Sequence, residues 1–304
     1  MNGISIIIPL YNKEKTIANC LDKIFSQTVT SFEVIVVDDG STDKSIENLQ
    51  EYLDRITLIC QGNQGPASAR NNGAKISRYD HLAFVDADDE ITREFVESHL
   101  YVRQIESEIE LSINSFKVFV DRKLKRTELL SSRYSGQVNE YGYFVLNEFN
   151  HFFCTNIHSS GFCVDKKLFF KVSGFDEELK CWEISDALMR LSLEAKRVAI
   201  IDKFLSLVFE DDNSLFKLEN TNLEYKRKFC NNILKAMQSI PDGSKKRYFK
   251  ELEYLCWDYW RAFRFKELVL FYMEIMGHPD AKSYFSLPVK IKIVVRFLMI
   301  FYSR

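Results

Sequence analysis

The first hundred residues alternate runs of apolar, largely β-branched residues with segments of helical spacing. The runs Ile4–Pro9, Glu33–Val37 and His81–Val85 have the composition of strands buried on both faces of a parallel sheet, and Ile56–Ile59 is a shorter run of the same kind. Strands that alternate with helices in this way indicate a doubly wound α/β sheet. This pattern constrains the fold more than any other feature of the chain.

Four polar clusters follow these strands or open the next helix. They are Pro9–Glu14, Asp38–Asp43, Gly65–Asn71 and Asp86–Asp89. The second cluster contains a glycine for a tight turn and a cap for a helix predicted to run to about Leu53. In a doubly wound sheet, ligands bind beyond the carboxyl ends of the strands. The sequence therefore predicts one site at that edge, formed by all four clusters.

The last cluster follows the fourth strand directly and contains Asp86, Asp88 and Asp89. Three carboxylates within four positions repel one another unless a positive charge lies among them. Oxygen ligands of this kind suit Mg²⁺ or Mn²⁺. A metal site is the functional interpretation. The structural alternative is an exposed acidic turn before a helix that begins near Ile91.

Composition sets broad limits on the chain. Its 304 residues, 46% of them hydrophobic, suffice for one large domain or one domain with an appendage. A formal net charge of -2 gives no electrostatic reason to expect a nucleic-acid partner. The seven cysteines include no C-x-x-C pair, so we expect reduced thiols and no zinc site. No signal-peptide pattern and no apolar run of membrane-spanning length is found, which predicts a cytoplasmic protein.

Beyond residue 100 the pattern changes. Residues 109–120 alternate like strands, and 121–128 are charged and predict an exposed turn. A helix is predicted from about Trp182 to Ala195 and a closing strand over Val198–Leu207. From about Leu215 the apolar residues keep helical spacing, which indicates a helical C-terminal appendage.

Together these motifs resemble the family-2 glycosyltransferases of the GT-A fold. The resemblance covers about residues 3–205 and is most specific in the first hundred. It implies a Rossmann-like α/β domain over 1–212, with a mixed, mostly parallel sheet flanked by helices, followed by a helical region over 213–304. Within that domain, about 1–100 would bind the nucleotide-sugar and 101–212 the acceptor. The matching segments are Ser5–Asn12, Glu33–Asp43, Gly65–Asn71 and Phe84–Asp89.

The resemblance also implies a nucleotide-sugar donor, most often UDP-linked, bound with Mn²⁺ or Mg²⁺. Tyr11 would offer its ring to the base, and Asp39 would accept a hydrogen bond from the uracil imide. Arg70 would counter the pyrophosphate or a neighbouring carboxylate. The implied nucleotide-sugar residues are Pro9, Tyr11, Glu14, Asp39, Gly65, Arg70, Asp86 and Ala87, and the implied metal ligands are Asp88 and Asp86.

Each of these assignments has a structural alternative. Tyr11 could pack on the sheet edge, and an isolated Arg70 would more often form a surface ion pair. For Asp38 and Asp43 we favour roles in a turn and a helix cap. The four motifs occur together and in the family's order, which favours the functional interpretation of the cluster as a whole.

The catalytic base is where the sequence departs from the family pattern. These enzymes invert the sugar, and a carboxylate takes the proton of the acceptor hydroxyl. That base usually lies in a Glu-Asp pair after a Gly-Phe-Asp-Glu turn. Here the turn Gly174–Glu177 and the later Arg190–Leu191 fit, but the pair is Glu183–Ile184. Isoleucine cannot accept a proton.

Three explanations remain open for the base. Glu183 could act one position earlier, Asp186 could act three positions later in the helix, or the chain could be an impaired transferase that keeps its donor half. We favour Glu183. Trp182 is a candidate platform for an acceptor sugar or a core residue, and His158 and His151 are candidate acceptor contacts or structural residues.

The segment Pro288–Arg304 is apolar and basic, with no acidic residue. It could lie at an anionic membrane surface or dock as a terminal helix on the protein. The resemblance implies a lipid-linked saccharide acceptor in surface polysaccharide synthesis, such as capsule or O-antigen, at the inner face of the cell membrane. A catalytically impaired nucleotide-sugar-binding module and a nucleotidyltransferase are the alternatives. The second lacks support, because no glycine-rich phosphate loop follows the first strand.

Overall fold

A ten-stranded sheet organises the first part of the chain in the computed structural model. Six strands are parallel to one another: β1 (Ile4–Leu10), β2 (Phe32–Asp38), β3 (Thr57–Cys60), β4 (His81–Phe84), β6 (Leu111–Val120) and β10 (Val198–Glu210). Four are antiparallel to their neighbours: β5 (Glu90–Ile91), β7 (Lys123–Glu128), β8 (Tyr143–Leu146) and β9 (Phe162–Asp165). The structure describes residues 3–106, 108–134, 137–147, 157–210, 219–240, 242–261 and 264–285.

The strand order is β3-β2-β1-β4-β9-β6-β10-β5, with β7 paired to β6 and β8 to β10. The flanking helices are α1 (Ile17–Phe25), α2 (Pro66–Ile76), α3 (Phe95–Ile105), α4 (Leu130–Tyr134), α5 (Lys166–Lys171) and α6 (Glu183–Glu194). The predicted mixed, mostly parallel sheet flanked by helices is therefore confirmed. Strands β1 and β2 are buried along almost their whole length because both faces of the sheet are covered there.

Helix α2 lies unusually close to the sheet. A Cβ atom at Gly73 would lie 2.5 Å from Cγ2 of Ile7 in β1, so only glycine permits this approach. The close packing fixes the N-terminal end of α2 beside the carboxyl ends of β1 and β4. Arg70 and Asn71 project from that half of the helix.

One edge of the sheet collects the polar residues. The carboxyl ends of β1, β2, β4, β6 and β10 meet there, because these strands are parallel. Strand β9 runs the other way, so its amino end lies at the same edge. The residues that precede β9, His158–Gly161, are thereby brought to the end of β4.

The segment after Asp38–Asp43 differs from its prediction. It contains only a 3₁₀ helix, Glu47–Tyr52, instead of an α-helix that starts at the cluster. The Asp43 carboxylate accepts hydrogen bonds from the amides of Glu14 and Ser45, and the Ser45 hydroxyl accepts one from the amide of Lys13. These residues therefore hold the loop after β1 in place of a helical turn.

Two further local predictions were wrong. The predicted turn over 121–128 is confined to Asp121 and Arg122, and the next residues form β7, whose side chains are mostly exposed and so lack the alternation of a buried strand. The helix expected near Ile91 begins at Phe95, because Glu90–Ile91 pairs with β10 as β5.

The chain divides into two compact units, and the described residues of the second are 219–240, 242–261 and 264–285. Its described helices are α7 (Glu219–Ala236), α8 (Asp242–Arg261), α9 (Phe265–Met276) and α10 (Ala281–Tyr284). Phe229 and Ile233 of α7 and Phe249, Leu252 and Cys256 of α8 are fully buried at helical spacing. None of the helices in the described ranges has the length and apolar character to cross a membrane. Pro288–Arg304 lies outside those ranges.

Candidate active site

The backbone turns tightly at the three aspartates after β4, at the sheet edge where the carboxyl ends of the parallel strands meet. The amide of Asp89 donates to the carbonyl of Asp86 at 2.9 Å, and the amide of Asp86 donates to the Ser160 hydroxyl at 3.2 Å. Asp89 is buried, while the carboxylates of Asp86 and Asp88 are each about a quarter exposed. The turn therefore presents two carboxylates to solvent and keeps the third inside.

Arg70 is the cation that compensates Asp86. It is 4% exposed, and its Nη2 lies 2.6 Å from Oδ1 of Asp86. Its Nη1 lies 2.9 Å from Oε1 of Glu183, so one buried guanidinium joins two carboxylates. Burial alone would raise the pKa of Asp86, but Arg70, His158 and a hydrogen bond from Ser159 lower it to about 2. Asp86 is therefore an anion at neutral pH.

His158 compensates Asp89. Its Nδ1 lies 3.0 Å from Oδ2 of Asp89, and the hydroxyl of Ser160 donates to the same oxygen at 2.5 Å. Burial would lower the pKa of His158, but Asp89, Asp86 and Asp88 raise it to about 9. The amide of Phe209 in β10 donates to the other oxygen of Asp89. Asp89 thus ties β4, β9 and β10 together at the site.

Lys13 compensates Asp88. Its Nζ lies 2.5 Å from Oδ2 of Asp88. Burial and the neighbouring Asp89 nevertheless raise the pKa of Asp88 to about 6. Around the turn, the carboxylates of Asp86, Asp88, Asp89 and Glu183 face three cationic groups, Arg70, Lys13 and His158. The site therefore carries more negative than positive charge.

These residues fit a divalent cation. Asp86, Asp89 and His158 each offer a ligand atom, and the three atoms lie within 4.8 Å of one another, although His158 would have to lose its proton to bind a cation. Asp88, which was predicted as a ligand with Asp86, is outside this group and faces Lys13 instead. Its raised pKa marks a partly exposed carboxylate short of positive charge, which a cation would supply. Carboxylate oxygens are the donors that Mg²⁺ and Mn²⁺ prefer.

Asp39 is buried at the end of β2 and holds the loop before α2. Its carboxylate accepts hydrogen bonds from the amides of Gln64 and Gly65 and from the side chain of Gln61, each at 2.8 Å. Gly65 has φ +97°, a conformation that favours glycine. Asp39 therefore sets the position at which α2 begins, whether or not it also contacts a base.

The remaining predicted donor residues differ in accessibility. Tyr11 is 44% exposed beyond β1, and Pro9 and Glu14 are half-buried. Glu14 accepts a hydrogen bond from the amide of Lys44. The side chain of Ala87 is buried in the apolar core, so a ligand would meet its backbone, and its assignment to the donor site stays a prediction. The Asp38 carboxylate accepts from the amides of Gly40 and Ser41, as expected of a turn residue.

Helix α6 brings the two candidate bases to different surroundings. Glu183 opens the helix beside Arg70, and burial raises its pKa despite that cation. Asp186 is fully buried, and Nε and Nη2 of Arg190 both donate to its Oδ2. Ile184 is half-buried between them, and Trp182, also half-buried, precedes the helix in a left-handed conformation with φ 69°.

The turn before α6 is held by α2. The Asn71 side chain accepts a hydrogen bond from the amide of Phe175 and donates to its carbonyl, each at 2.9 Å. Gly174 has φ +64°, and a Cβ atom there would lie 2.6 Å from Oδ1 of Asn71. Arg190 donates to the carbonyls of Val172 and Gly174 from the other side. Asn71 and Arg190 therefore fix where Glu183 stands relative to Arg70.

Sequence reasoning missed several of these residues. His158 was predicted as an acceptor contact, which stays a prediction, but its place in the carboxylate cluster was not foreseen, and Ser159, Ser160 and Lys13 were not singled out. The three residues 158–160 are brought there by the antiparallel β9, which no pattern in the sequence indicated. Asn71 lies in the motif Gly65–Asn71 and Lys13 in the motif Pro9–Glu14. Membership of these motifs is the one sequence feature that could have pointed to the two residues. His151 lies outside the described residues.

The chain is similar to known proteins in sequence and in fold. Residues 5–152 match the family described as Glycosyl transferase family 2. The uncharacterized glycosyltransferase EpsJ of Bacillus subtilis is 30% identical over 244 residues, which are 78% of this chain and 68% of EpsJ. The chain belongs to glycosyl transferase family 2. The predicted family membership is thereby confirmed.

Other relatives of this family-2 glycosyltransferase are matched over shorter stretches. The poly(ribitol-phosphate) beta-glucosyltransferase of Bacillus spizizenii is 40% identical over 98 residues, 30% of this chain and 16% of that protein. Three further curated relatives are matched over 17% to 29% of their own length. Among solved structures, S. aureus TarS 1-349 in complex with UDP-GlcNAc has a TM-score of 0.62 and 19% identity, over 84% of this chain and 81% of that chain. This likeness supports the GT-A fold.

Proposed function

We propose that the chain is a metal-dependent, inverting glycosyltransferase that moves a hexose or N-acetylhexosamine from a UDP-sugar to a phosphate-bearing, lipid-linked saccharide. The observation that carries this proposal is the Arg70 bridge between Asp86 and Glu183. Asp86 of the carboxylate cluster and the candidate base Glu183 contact the same buried cation. A donor bound at Asp86 and an acceptor hydroxyl bound at Glu183 would then be neighbours.

The donor would occupy the common edge of β1, β2 and β4. Tyr11 is exposed there and could stack on the base, and the buried Asp39 keeps the loop next to it closed. TarS has been solved with UDP and with UDP-GlcNAc, which supports a UDP-sugar as donor by fold alone. A bound Mn²⁺ or Mg²⁺ would be held by Asp86 and Asp88, with Asp89 and His158 close by, and would stabilise charge on the leaving diphosphate.

Glu183 would take the proton of the acceptor hydroxyl. Its raised pKa makes it a better proton acceptor than an exposed glutamate, and Arg70 holds its carboxylate in one place. Asp186 is less suited, because its carboxylate is fully buried and committed to Arg190. We therefore assign the base role to Glu183 and a positioning role to Asp186.

The acceptor half carries exposed basic side chains, some of them paired with acidic neighbours. The β6–β7 hairpin projects from the same sheet edge, with Arg122, Lys123 and Lys125 exposed at its end. Lys125 pairs with Glu210, whereas Arg122 and Lys123 form no ion pair with any residue in the described ranges. Such a surface suits an acceptor that carries phosphate, and the relative that acts on poly(ribitol phosphate) supports polysaccharide synthesis as the setting.

The last part of the proposal concerns the domain boundary near residue 212 and the C-terminal segment Pro288–Arg304. The GT-A domain would end near residue 212, and the helical region 213–304 would follow it. The basic, apolar segment Pro288–Arg304 would attach the protein peripherally to the anionic inner face of the cell membrane, where lipid-linked saccharides are built. Binding to vesicles with and without anionic lipid, by the full chain and by a chain that ends at residue 287, tests this part.

The test of the activity measures UDP release from a panel of UDP-sugars with Mn²⁺, with and without a lipid-diphosphate saccharide acceptor. Loss of turnover in Glu183→Gln, and lower turnover at limiting Mn²⁺ in Asp88→Asn, with turnover kept in Asp186→Asn, would support the assignment. Loss in Asp186→Asn alone, in a variant that still folds, would move the base to Asp186. UDP binding without turnover on a broad acceptor panel would favour the second candidate, a nucleotide-sugar-binding module, which Ile184 at the usual base position makes worth testing.

A further inference from the structure

The residues His158–Ser160 contact the aspartates of the acidic turn but precede the paired part of β9. Strand β9 pairs with β6 from Phe162 on and with β4 from Cys163 on. Ser159–Gly161 form a short 3₁₀ turn before that pairing. The position of His158–Ser160 relative to the acidic turn therefore depends on side-chain contacts rather than on the hydrogen bonds of a strand ladder.

Ser160 joins this segment to the acidic turn. Its hydroxyl accepts a hydrogen bond from the amide of Asp86 at 3.2 Å and donates to Oδ2 of Asp89 at 2.5 Å. The hydroxyl of the neighbouring Ser159 donates to Oδ2 of Asp86 at 2.6 Å. Hydrogen bonds to a carboxylate fix its orientation toward a metal ion. The backbone position of the two serines therefore sets how both carboxylates are oriented.

A buried chain of hydrogen bonds holds Ser160 from the side of β6 and β10. The hydroxyl of Ser206 in β10 donates to the carbonyl of Ser160, and the side-chain nitrogen of Asn114 in β6 donates to the Ser206 hydroxyl at 3.0 Å. Nε2 of His99 in α3 lies 3.0 Å from Oδ1 of Asn114, and its Nδ1 lies 2.6 Å from the hydroxyl of Ser112. All five residues are fully buried. We call the side chains of Ser112, His99, Asn114 and Ser206 the polar relay.

The direction of each hydrogen bond in the polar relay follows from its chemistry. The side-chain nitrogen of Asn114 also donates to the carbonyl of Ser115 at 2.9 Å, so its oxygen faces His99 and accepts the hydrogen of Nε2. Nδ1 of His99 then accepts from Ser112, whose oxygen accepts from Nη1 of Arg103 at 2.6 Å. Burial and Arg103 lower the pKa of His99 to about 3, so the ring is neutral, as this arrangement requires. Donors and acceptors therefore match along the whole relay.

The same network also contacts β9 beyond Ser160. Nη2 of Arg103 donates to the carbonyl of Cys163 at 2.8 Å, so the two contacts lie on either side of Phe162, where pairing with β6 begins. The four relay side chains are uncharged at neutral pH. Their hold on Ser160 therefore does not depend on the charge of the aspartates, and it would persist when a cation binds those carboxylates.

We propose that Asn114 and Ser206 are positioning residues of the metal site. They hold residues 158–160 in place and thereby keep the carboxylates of Asp86 and Asp89 oriented for a divalent cation. This inference rests on the proposed function, because it needs a metal at the acidic turn. It also means that β6 and β10, strands of the half predicted to bind the acceptor, help to form the metal site of the donor half.

The consequence for metal affinity can be stated thermodynamically. With the hydrogen bond from Ser206 in place, residues 158–160 are ordered before a metal binds, so little conformational entropy is lost on binding. Without that bond, metal binding has to order the segment, and the buried carbonyl of Ser160 lacks this donor. Metal affinity should then fall by about the contribution of one neutral hydrogen bond, which corresponds to about fivefold.

The experiment measures Mn²⁺ affinity by electron paramagnetic resonance on the full chain, with UDP binding by the wild type measured alongside. Ser206→Ala removes the hydroxyl, and Ser206→Cys keeps a weaker donor of similar shape. Ser77→Ala is the matched control, because the Ser77 hydroxyl is also buried and donates to a carbonyl, that of Ala74 at 2.8 Å, at the C-terminal end of α2. Thermal melts measure the loss of stability in each variant.

We expect Ser206→Ala to bind Mn²⁺ about fivefold more weakly than the wild type, and Ser206→Cys to lie between the two. Ser77→Ala should bind Mn²⁺ like the wild type, although it also loses a buried hydrogen bond and some thermal stability. If Ser206→Ala does not fold, the comparison of Ser206→Cys with Ser77→Ala decides the question, because only the first should bind Mn²⁺ more weakly.

Wild-type Mn²⁺ affinity in a folded Ser206→Ala would overturn the inference, because the polar relay would then stabilise the fold without positioning the metal site. An equal loss of Mn²⁺ affinity in Ser77→Ala would also overturn it, since the loss of any buried hydroxyl would then have the same effect. Both results leave the proposed function intact. If the wild type binds neither Mn²⁺ nor UDP, the proposed function itself fails, and with it the role assigned to Asn114 and Ser206.

Discussion

Arg70 and Glu183 are 113 residues apart in the sequence, yet Nη1 of Arg70 donates to Oε1 of Glu183 over 2.9 Å. The other amino group of Arg70 donates to Asp86. The proposed base and the carboxylate cluster are therefore electrostatically linked, and a change of charge in one affects proton binding in the other. This linkage is the basis of the first two predictions.

The first prediction concerns pH. Glu183 must be deprotonated to act as a base, and burial raises its pKa, so activity should fall as the pH drops through that raised pKa. Glu183→Gln should lose about 10²- to 10⁴-fold in kcat and lose this acidic limb, with UDP affinity within a few-fold of wild type. A pH profile of UDP release checks it, and an unchanged acidic limb in Glu183→Gln would reject Glu183 as the base.

The second prediction concerns the buried cation. Arg70→Met leaves Asp86 and Glu183 without their shared partner, and we expect a loss of about 3–5 kcal/mol in the free energy of unfolding. Lys171→Met is the control, because Lys171 pairs with Glu194 at 2.6 Å with both side chains exposed, so its loss should change the free energy of unfolding little. Urea unfolding measures both, and similar small losses would show that the buried bridge does not stabilise the fold.

The third prediction concerns the turn that positions Glu183. Gly174→Ala should destabilise the protein by about 1–3 kcal/mol, because the residue has φ +64° and the new Cβ atom would contact Asn71. Gly62→Ala is the control, since Gly62 has no atom within 4 Å of the position of a Cβ. Thermal denaturation compares the two, and an equal change in both variants would contradict the strain argument.

The fourth prediction concerns the acceptor. Lys123→Glu reverses an exposed charge on the β6–β7 hairpin, and we expect the KM for a lipid-diphosphate saccharide to rise about tenfold with donor KM unchanged. Lys75→Glu, an exposed position at the far end of α2, should leave both constants unchanged. Steady-state kinetics at low and high salt separates the effects. A rise in donor KM instead would place the hairpin on the donor side.

The fifth prediction concerns the metal. Removal of divalent cations by a chelator should abolish transfer, and added Mn²⁺ should restore it. Asp88→Asn should need more Mn²⁺ for half-maximal activity, because it removes one of the carboxylate charges at the turn. Full activity after the removal of divalent cations would contradict the metal requirement. It would show that Arg70, Lys13 and His158 suffice to stabilise the leaving diphosphate. Activity at several Mn²⁺ concentrations makes the measurement.

Several parts of the site could be predicted because they follow from local sequence. The acidic turn comes at the end of an apolar strand, and the carboxyl ends of parallel strands share an edge, so the motifs had to meet there. The role of Asp38 in a turn follows from its own neighbouring amides. The roles of Asn71 and Lys13 do not, since each depends on a partner more than 70 residues away.

Local patterns were enough to predict the mixed, mostly parallel sheet, the family and the sheet edge at which the polar motifs meet, because strand periodicity and strand-end motifs are local properties of the chain. The tertiary structure alone decided which cation meets which carboxylate. Strand β9 is antiparallel, and this reversal brings His158 to Asp89, while the close packing of α2 on β1 lets Arg70 reach both Asp86 and Glu183. Charge pairing inside a site depends on distances between distant segments, and no local pattern encodes those distances.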